Sequence, residues 1–344
     1  MRFLRVIVFL LCTFFIQASF SIAAEKPFER SCIVMGTIGK AQIWGLDEAR
    51  AEALCQKVFQ EWKEVDQTMS LYKPTSDLMR LNEHAGQNPI TVSDDLIEIL
   101  QQAKDYAMRT QGIFDVRIGE LMDLWGLGVA PRKRAPAPGE LASARMRSRR
   151  AEIYLNPATH QAAIRDALLK IDLGGIAKGY ALDKTCQLLL KSKAQAALLD
   201  LGGQLMVYHP PAEGWLIGVR KPGNPEEIVG TLKIQSTCSI STSSQEDRFR
   251  MLGRIRLGHV IDPRTGHPVR ARGSGVVVAS TATQADVLST VLLVRGMDRM
   301  GALLKDFPGV ELLRIVPDKK NRWRYWQSSG IQKIFRPQKT AVAF

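Results

Sequence analysis

The sequence predicts an α+β fold, on three observations. Residues 47–66 carry apolar side chains at helical spacing, through Ala51, Leu54, Val58 and Trp62, and residues 94–110 repeat the pattern through Leu96, Ile99, Leu100, Ala103 and Ala107. From residue 196 onward the pattern changes to short apolar or alternating runs bounded by turn residues, which is how strands read. No repeat with a period of about 20–50 residues recurs, which sets solenoids and propellers aside.

Taken in order, the chain opens with Arg2 and Arg5, an apolar stretch at 6–16, and a small-residue cleavage site at Ser21-Ile22-Ala23-Ala24. Residues 1–24 therefore read as a secretory signal peptide, and 25–344 as the working chain of a periplasmic protein. The apolar run is short for a membrane span, and an uncleaved inner-membrane anchor is the alternative. Leu11 precedes Cys12 inside the apolar stretch, which argues against a lipid-modified cysteine there. After the 47–66 helix, Pro74, several hydroxyls and Tyr72 suit a loop entering a short helix near 82. The segment 130–139 is a proline-rich, charged connector, read as an exposed excursion within one domain. Short strands follow at 151–155 and 162–165, and a third at 168–173 leads into a helix near 176–191. Strand patterns then fall at 196–201, 215–219, 228–234, 238–241 and 276–280, with helices at 283–295 and 298–306 and a hairpin-like pair at 310–316 and 322–326. Asp-Leu-Gly-Gly recurs at 172–175 and 200–203, a hint of duplicated lobes.

About 320 residues after the signal suffice for one large domain or two interlocked lobes. The formal charge of +13 becomes +11 once Arg2 and Arg5 are removed, which favours anionic ligands or membrane surfaces. The basic residues are dispersed, with clusters at 132–134, 145–150 and 319–324 that read as solvated loops, and no aromatic-interleaved stripe points to nucleic acid. Cys32, Cys55, Cys186 and Cys238 lack zinc-finger spacing, and no disulfide is assigned.

Three constellations carry chemistry. In Ala282-Thr-Gln-Ala-Asp286-Val-Leu-Ser-Thr290 a carboxylate and a hydroxyl four residues apart emerge on one helix face, where both oxygens can grip one hard cation. Taken alone, the same Asp also suits the helix dipole, and the same Thr suits a bond back to a carbonyl one turn earlier. Gly174-Gly175-Ile176-Ala177-Lys178-Gly179 opens a helix with free first-turn amides, glycines that admit a ligand to the backbone, and one cation. Phosphate is its natural guest, yet neither the Walker A nor the G-x-G-x-x-G pattern is present, and a purely structural glycine turn is the alternative. His259 stands at a strand end before the turn Asp262-Pro-Arg-Thr-Gly266, and can exchange a proton near neutral pH or serve as a hydrogen-bonded packing residue. His84, His160, His209 and His267 read as loop residues.

Together, these ordered motifs resemble the ApbE family of FAD:protein FMN transferases. The resemblance is carried by Met35-Gly36-Thr37, by Ser70-x-Tyr72 through Ser76 to Leu81-Asn82, and by Phe114-Asp115 with Leu124-Trp125-Gly126. It continues through 172–183, Gly202-Gly203, Trp215, Thr242-Ser243, 259–266, and Ala285-Asp286 to Thr290, so it spans nearly the whole mature chain. It implies two interlocked mixed α/β lobes of T-fold-like type, with the ligand site between them. It also implies Mg²⁺-dependent transfer of FMN from FAD to a threonine hydroxyl of a membrane-associated redox protein, releasing AMP. By the same resemblance, Asp286, Thr290 and the backbone carbonyl of Ala177 hold Mg²⁺. Met35 and Tyr72 flank the flavin or adenine rings, Lys178, Asp183 and Ser243 belong to the FAD site, and His259 helps deprotonate the acceptor threonine. An FAD pyrophosphatase and a non-catalytic flavin-binding or delivery protein are the rival readings.

One departure bears on the pocket. The family usually has Thr-Ser-Gly-x-Tyr where this chain has Thr242-Ser243-Ser244-Gln245-Glu246. A serine narrows the backbone's options and a carboxylate adds negative charge beside an anionic dinucleotide, so weaker FAD retention with preserved chemistry is the expectation.

Overall fold

Strands β1 (Phe28–Val34) and β2 (Thr37–Trp44), which the sequence patterns do not flag, form the first hairpin. Its turn is Met35-Gly36, with φ of 50° and 68°. Two successive left-handed residues match the twist of antiparallel strands, and glycine adopts that conformation without strain. The computed structural model describes residues 26–129, 132, 134–246, 249–296, 300–320, 322–338 and 341–343. The proposed signal peptide at 1–24 lies outside the described residues.

Helix α1 (Glu48–Met69) starts where Asp47 accepts a hydrogen bond from the Arg50 amide, and buries Ala51, Leu54, Val58 and Trp62 as their spacing requires. Ser76 caps α2 (Asp77–Glu83) in the same manner, after the expected loop, and Ser93 caps α3 (Asp94–Arg109) beyond the short β3 (Ile90–Thr91). Next come α4 (Gly119–Leu124) and α5 (Pro138–Arg150), then β4 (Ile153–Asn156) and β5 (Gln161–Ile164). The 145–150 cluster, expected in a solvated loop, is therefore the last half of a helix. Its cations suit the helix C-terminus, and Arg147 pairs with Glu120 of α4.

The strand expected at 168–173 does not form: among the described residues no strand pairs with it. Instead Asn82 grips the backbone of Ile171 on both sides, donating from Nδ2 to its carbonyl (3.0 Å) and accepting from its amide (2.8 Å), while the Asp172 amide donates to Val116 O (2.8 Å). The two Asp-Leu-Gly-Gly segments also differ. The first precedes α6 (Ala177–Ser192), whereas the second closes the hairpin of β6 (Ala196–Leu201) and β7 (Gln204–Tyr208), with Gly202 and Gly203 at φ 66° and 88°. Their recurrence carries no sign of duplication.

The remaining elements are β8 (Trp215–Lys221), β9 (Asn224–Ile234), β10 (Cys238–Ser244), β11 (Phe249–Leu252), β12 (Ile255–Gly258), β13 (Ile261–Asp262), β14 (His267–Pro268) and β15 (Ser274–Ala279). They continue with α7 (Ala282–Arg295), α8 (Met300–Leu304), β16 (Glu311–Pro317), β17 (Trp323–Gln327), α9 (Ser329–Ile334), β18 (Phe335–Pro337) and β19 (Ala341–Ala343).

A nine-stranded sheet in the order β1-β2-β6-β7-β10-β15-β16-β17-β19 organises these pieces, and its strand pairs are antiparallel except β17 with β19. That arrangement is α+β, as expected. Both faces of the sheet are covered. Leu199, Leu201, Val277 and Leu312 point into a core shared with α1, α3, α6 and α7, while their neighbours Leu198, Val276 and Leu313 point into a second core built with the small sheet β18-β9-β8. A third, smaller core joins Leu121 of α4, Leu141 and Ala144 of α5, and Ile261 of β13.

Cys32, Cys55, Cys186 and Cys238 are free thiols, and burial pushes Cys55 up to about 11 and Cys238 up to about 12. No described helix is long and apolar enough to cross a membrane.

Helices α6 and α7 approach so closely that only glycine fits at 179. A Cβ there would lie 2.5 Å from Ala282 O and 2.6 Å from Thr283 Cα, both immovable backbone atoms. Gly179→Ala is expected to lower unfolding stability by about 1–3 kcal/mol, an overpacking cost measurable by urea titration. An unchanged midpoint would show that the helices separate freely.

Candidate functional site

The first turn of α6 has amides with no partner inside the helix, and one of them finds a side chain on α7. The Gly179 amide donates to Asp286 Oδ2 at 3.1 Å, and Lys178 Nζ stands 3.5 Å from Asp286 Oδ1. Asp286 is only 4 % exposed because α7 is enclosed by α6 on one side and by β10 and β15 on another. A carboxylate so deep requires compensating donors, and the α6 N-terminus with Lys178 supplies them.

One turn further along α7, Thr290 Oγ1 lies 3.4 Å from Ser243 Oγ and 3.5 Å from Asp286 O. Ser243 in turn meets Ser289 Oγ at 2.7 Å, and Ser241 meets the same hydroxyl at 3.1 Å. Residues 241 and 243 share a face of β10, as the two-residue period of a strand dictates, and that face looks onto α7. Gly175 closes this end: a Cβ on it would lie 4.0 Å from Thr290 Oγ1 and 3.3 Å from the ring of Phe114. The structure thus gathers Lys178, Asp286, Thr290 and Ser243 along one seam, with Ala177 as the first residue of α6. Among the described residues, no group of three or more His, Cys, Asp or Glu side chains comes together. The donors at the seam are a carboxylate, hydroxyls and backbone, hard oxygens of the kind Mg²⁺ takes.

Asp183 occupies the opposite end of the seam. Its carboxylate accepts from the amides of Ala282 (2.7 Å) and Thr283 (2.8 Å) and from Thr283 Oγ1 (2.6 Å), so it anchors the start of α7. Burial raises its pKa above the ordinary carboxylate range, those bonds oppose the rise, and the charge of Asp286 adds to it. Beside it opens a cavity of about 620 Å³ lined by Tyr106, Asp183, Cys186, Met206, Ser239 and Thr281, among others. Ser239 lines it, and its Oγ is buried with no hydrogen-bond partner among the described residues.

Met35 and Tyr72 lie on separate loops, and among the described residues no hydrogen bond or ion pair ties either to the seam. Met35 is half-buried in the β1–β2 turn, and Tyr72 is 75 % exposed. His259 follows β12 directly, at the strand end the sequence indicated.

These motifs and this fold have known counterparts. The ApbE family model matches residues 35–313. The chain belongs to the ApbE family. It is 31% identical over 317 residues to the FAD:protein FMN transferase of Treponema pallidum, covering 87% of each chain, and 30% identical over 271 residues to that of Escherichia coli K12, covering 77% of each. Among solved structures, the ApbE protein of Thermotoga maritima superposes with a TM-score of 0.78 at 25% identity, over 90% of this chain and 100% of that one. The flavin transferase ApbE of Vibrio cholerae gives 0.76 at 25% identity, over 90% and 99%.

The departing segment of this family member does not behave as its composition implied. Ser244 sits in β10 in register with Ser274, a strand position that needs no glycine. Glu246 turns its carboxylate to the Gly273 amide, at 2.8 and 3.0 Å, with Arg272 at 4.0 Å. The carboxylate is thus engaged by backbone within the protein. Sequence reasoning missed three residues: Gly179 as a contact point, Ser289 as a hydroxyl bridge and Gln245 as a hydrogen-bonding hub. For Gln245 the departure itself was the signal.

Asp183→Asn turns an amide toward the donors of Thr283, and is expected to lower stability by about 1–3 kcal/mol through the disrupted α7 start. Thermal unfolding measures this, and a wild-type melting temperature would mean that the carboxylate does not hold α7.

Proposed function

We propose that this chain transfers FMN from FAD to a threonine hydroxyl of a partner protein and releases AMP, with Mg²⁺ held by Asp286, Thr290 and the carbonyl of Ala177. The observation that carries this reading is the buried Lys178–Asp286 contact at a helix N-terminus, one turn from the hydroxyls of Thr290 and Ser243. The names of the relatives support the transferase, flavin and acceptor-protein parts.

Asp286, Thr290 and the carbonyl of Ala177 would hold Mg²⁺, which would supply charge neutralisation on a diphosphate. Lys178 offers a mobile ammonium that can leave Asp286 for a phosphate oxygen, and the first turn of α6 favours the same anion. The cavity beside Asp183 receives a ring of the dinucleotide. Met35 and Tyr72 border the rings from their loops. His259 accepts the threonine proton as the threonine oxygen bonds to the FMN phosphorus and the bond from that phosphorus to the AMP oxygen breaks. The acceptor in this reading is a redox protein at the membrane, met in the periplasm, in line with the secretory character of residues 1–24.

Incubation of the purified protein with FAD, Mg²⁺ and a threonine-bearing acceptor is expected to yield AMP in equal amount with covalently flavinylated acceptor, and chelation is expected to abolish both. Release of FMN and AMP without labelling would favour the pyrophosphatase, and flavin binding without cleavage would favour the carrier.

Asp286→Ala is expected to remove activity at limiting Mg²⁺, read as AMP release, and near-normal turnover would end the metal assignment. His259→Ala is expected to slow transfer by about 10²–10⁴-fold while flavin titration shows nearly unchanged affinity. A collapse of affinity at an unchanged rate would make His259 a binding residue.

A further inference from the structure

Between β12 and β15 the chain leaves the neighbouring strands at Gly258 and returns at Gly273, and His259 is the first residue of that excursion. Both of its ends are tied to the residues that close β10. Gln245 is 7 % exposed, and its Oε1 accepts from the Val260 amide at 3.2 Å, the peptide nitrogen that joins His259 to Val260. Its Nε2 donates to Val260 O at 3.0 Å and to Val269 O at 2.9 Å. The Val269 amide donates to Val260 O at 2.9 Å, so one side chain holds together the two ends of the antiparallel β13–β14 pair. At the far end, the Glu246 carboxylate accepts from the Gly273 amide.

The packing leaves this amide no slack. A Cβ at Gly258 would lie 2.0 Å from Gln245 Oε1 and 2.2 Å from its Cδ. On its other side the excursion is pinned by Ile261 in the third core and by Trp125 Nε1, which donates to Gly266 O at 2.7 Å. Two residues before Gln245, Ser243 reaches Ser289 and Thr290 of α7. The run Ser243-Ser244-Gln245-Glu246 therefore spans from the Asp286–Thr290 helix to the backbone of His259.

We propose that Gln245 is a positioning residue: it sets where His259 stands relative to Asp286 and Thr290, through the peptide bond that follows the histidine. The proposal rests on the proton-accepting role given to His259 above. The physical ground is that a fully bonded buried amide is rigid, and that misplacing a reacting group by about 1 Å can cost about 10²-fold in rate. Trp125–Gly266 and Glu246–Gly273 remain in a Gln245 variant, so the excursion shifts without unfolding.

Two variants separate the bonds from the volume. Gln245→Met keeps length and bulk but cannot bond the three backbone groups, and Gln245→Ala removes both. Each is expected to lower kcat for transfer to the acceptor by about ten- to a hundred-fold, with KM for FAD within about two-fold. Adding either to His259→Ala is expected to slow the reaction no further, because the two residues act as one unit. Fully additive losses, or a KM for FAD that rises in step with the fall in kcat, would overturn the proposal, as would full transfer by Gln245→Met. A second readout does not need the reaction. The His259 ring resonance, identified by its loss in His259→Asn, is expected to shift or broaden in Gln245→Met, and an unchanged resonance overturns the proposal by itself. A parent protein that labels no acceptor, yet whose His259 resonance moves in the variant, would sink the functional reading and leave the positioning intact.

Discussion

The contact on which the rest depends is that of two helix backbones at Gly179. Because no side chain separates α6 from α7 there, the free amide of the first α6 turn reaches Asp286, and Lys178 falls beside the same carboxylate. A buried charge is costly unless donors surround it, and here the donors are the helix start and an ammonium on a flexible stem. The same approach brings Asp183 to the amides that open α7. One glycine thus aligns two carboxylates, each gripped by the first turn of the opposite helix, along a single seam.

Much of this was legible because some segments obey one rule each. The spacing of Leu54, Val58 and Trp62 marks a helix that packs on one side only, and the i, i+4 step from Asp286 to Thr290 survives any choice of neighbours. Other segments follow from partners far along the chain. Residues 168–173 look like a strand, yet their backbone is satisfied by Asn82, 89 residues upstream. The resemblance places Asp183 along the FAD site; that its carboxylate also binds amides 99 and 100 residues downstream, no local pattern announces. The β1–β2 hairpin escapes pattern reading because it lies at a sheet edge, where Ile33 is 85 % exposed and Ile38 65 %, so the alternation that marks a half-buried strand is blurred.

The segment 242–246 shows how a departure from a family pattern is to be read physically. Composition alone makes Ser244 a constraint and Glu246 a repulsive charge. In the fold, the serine occupies an ordinary strand position and the glutamate satisfies the Gly273 amide. In place of the family's usual glycine and aromatic, Gln245 and Glu246 here bond to backbone. Likewise Trp125 and Asn82, both part of the recognisable motifs, act through the carbonyls they hold, Gly266 O and Ile171 O. A motif residue is therefore as often a strut as a ligand.

The four free thiols among the described residues have a consequence for the protein's reactivity. With Cys55 held at about 11 and Cys238 at about 12, the thiolate at neutral pH is on the order of one molecule in 10⁴ or fewer, and the thiolate is the species that exchanges and oxidises. Burial also raises Cys32 and Cys186. Thiols held in this state exchange slowly with whatever oxidant reaches them, so the described fold offers little to mispair.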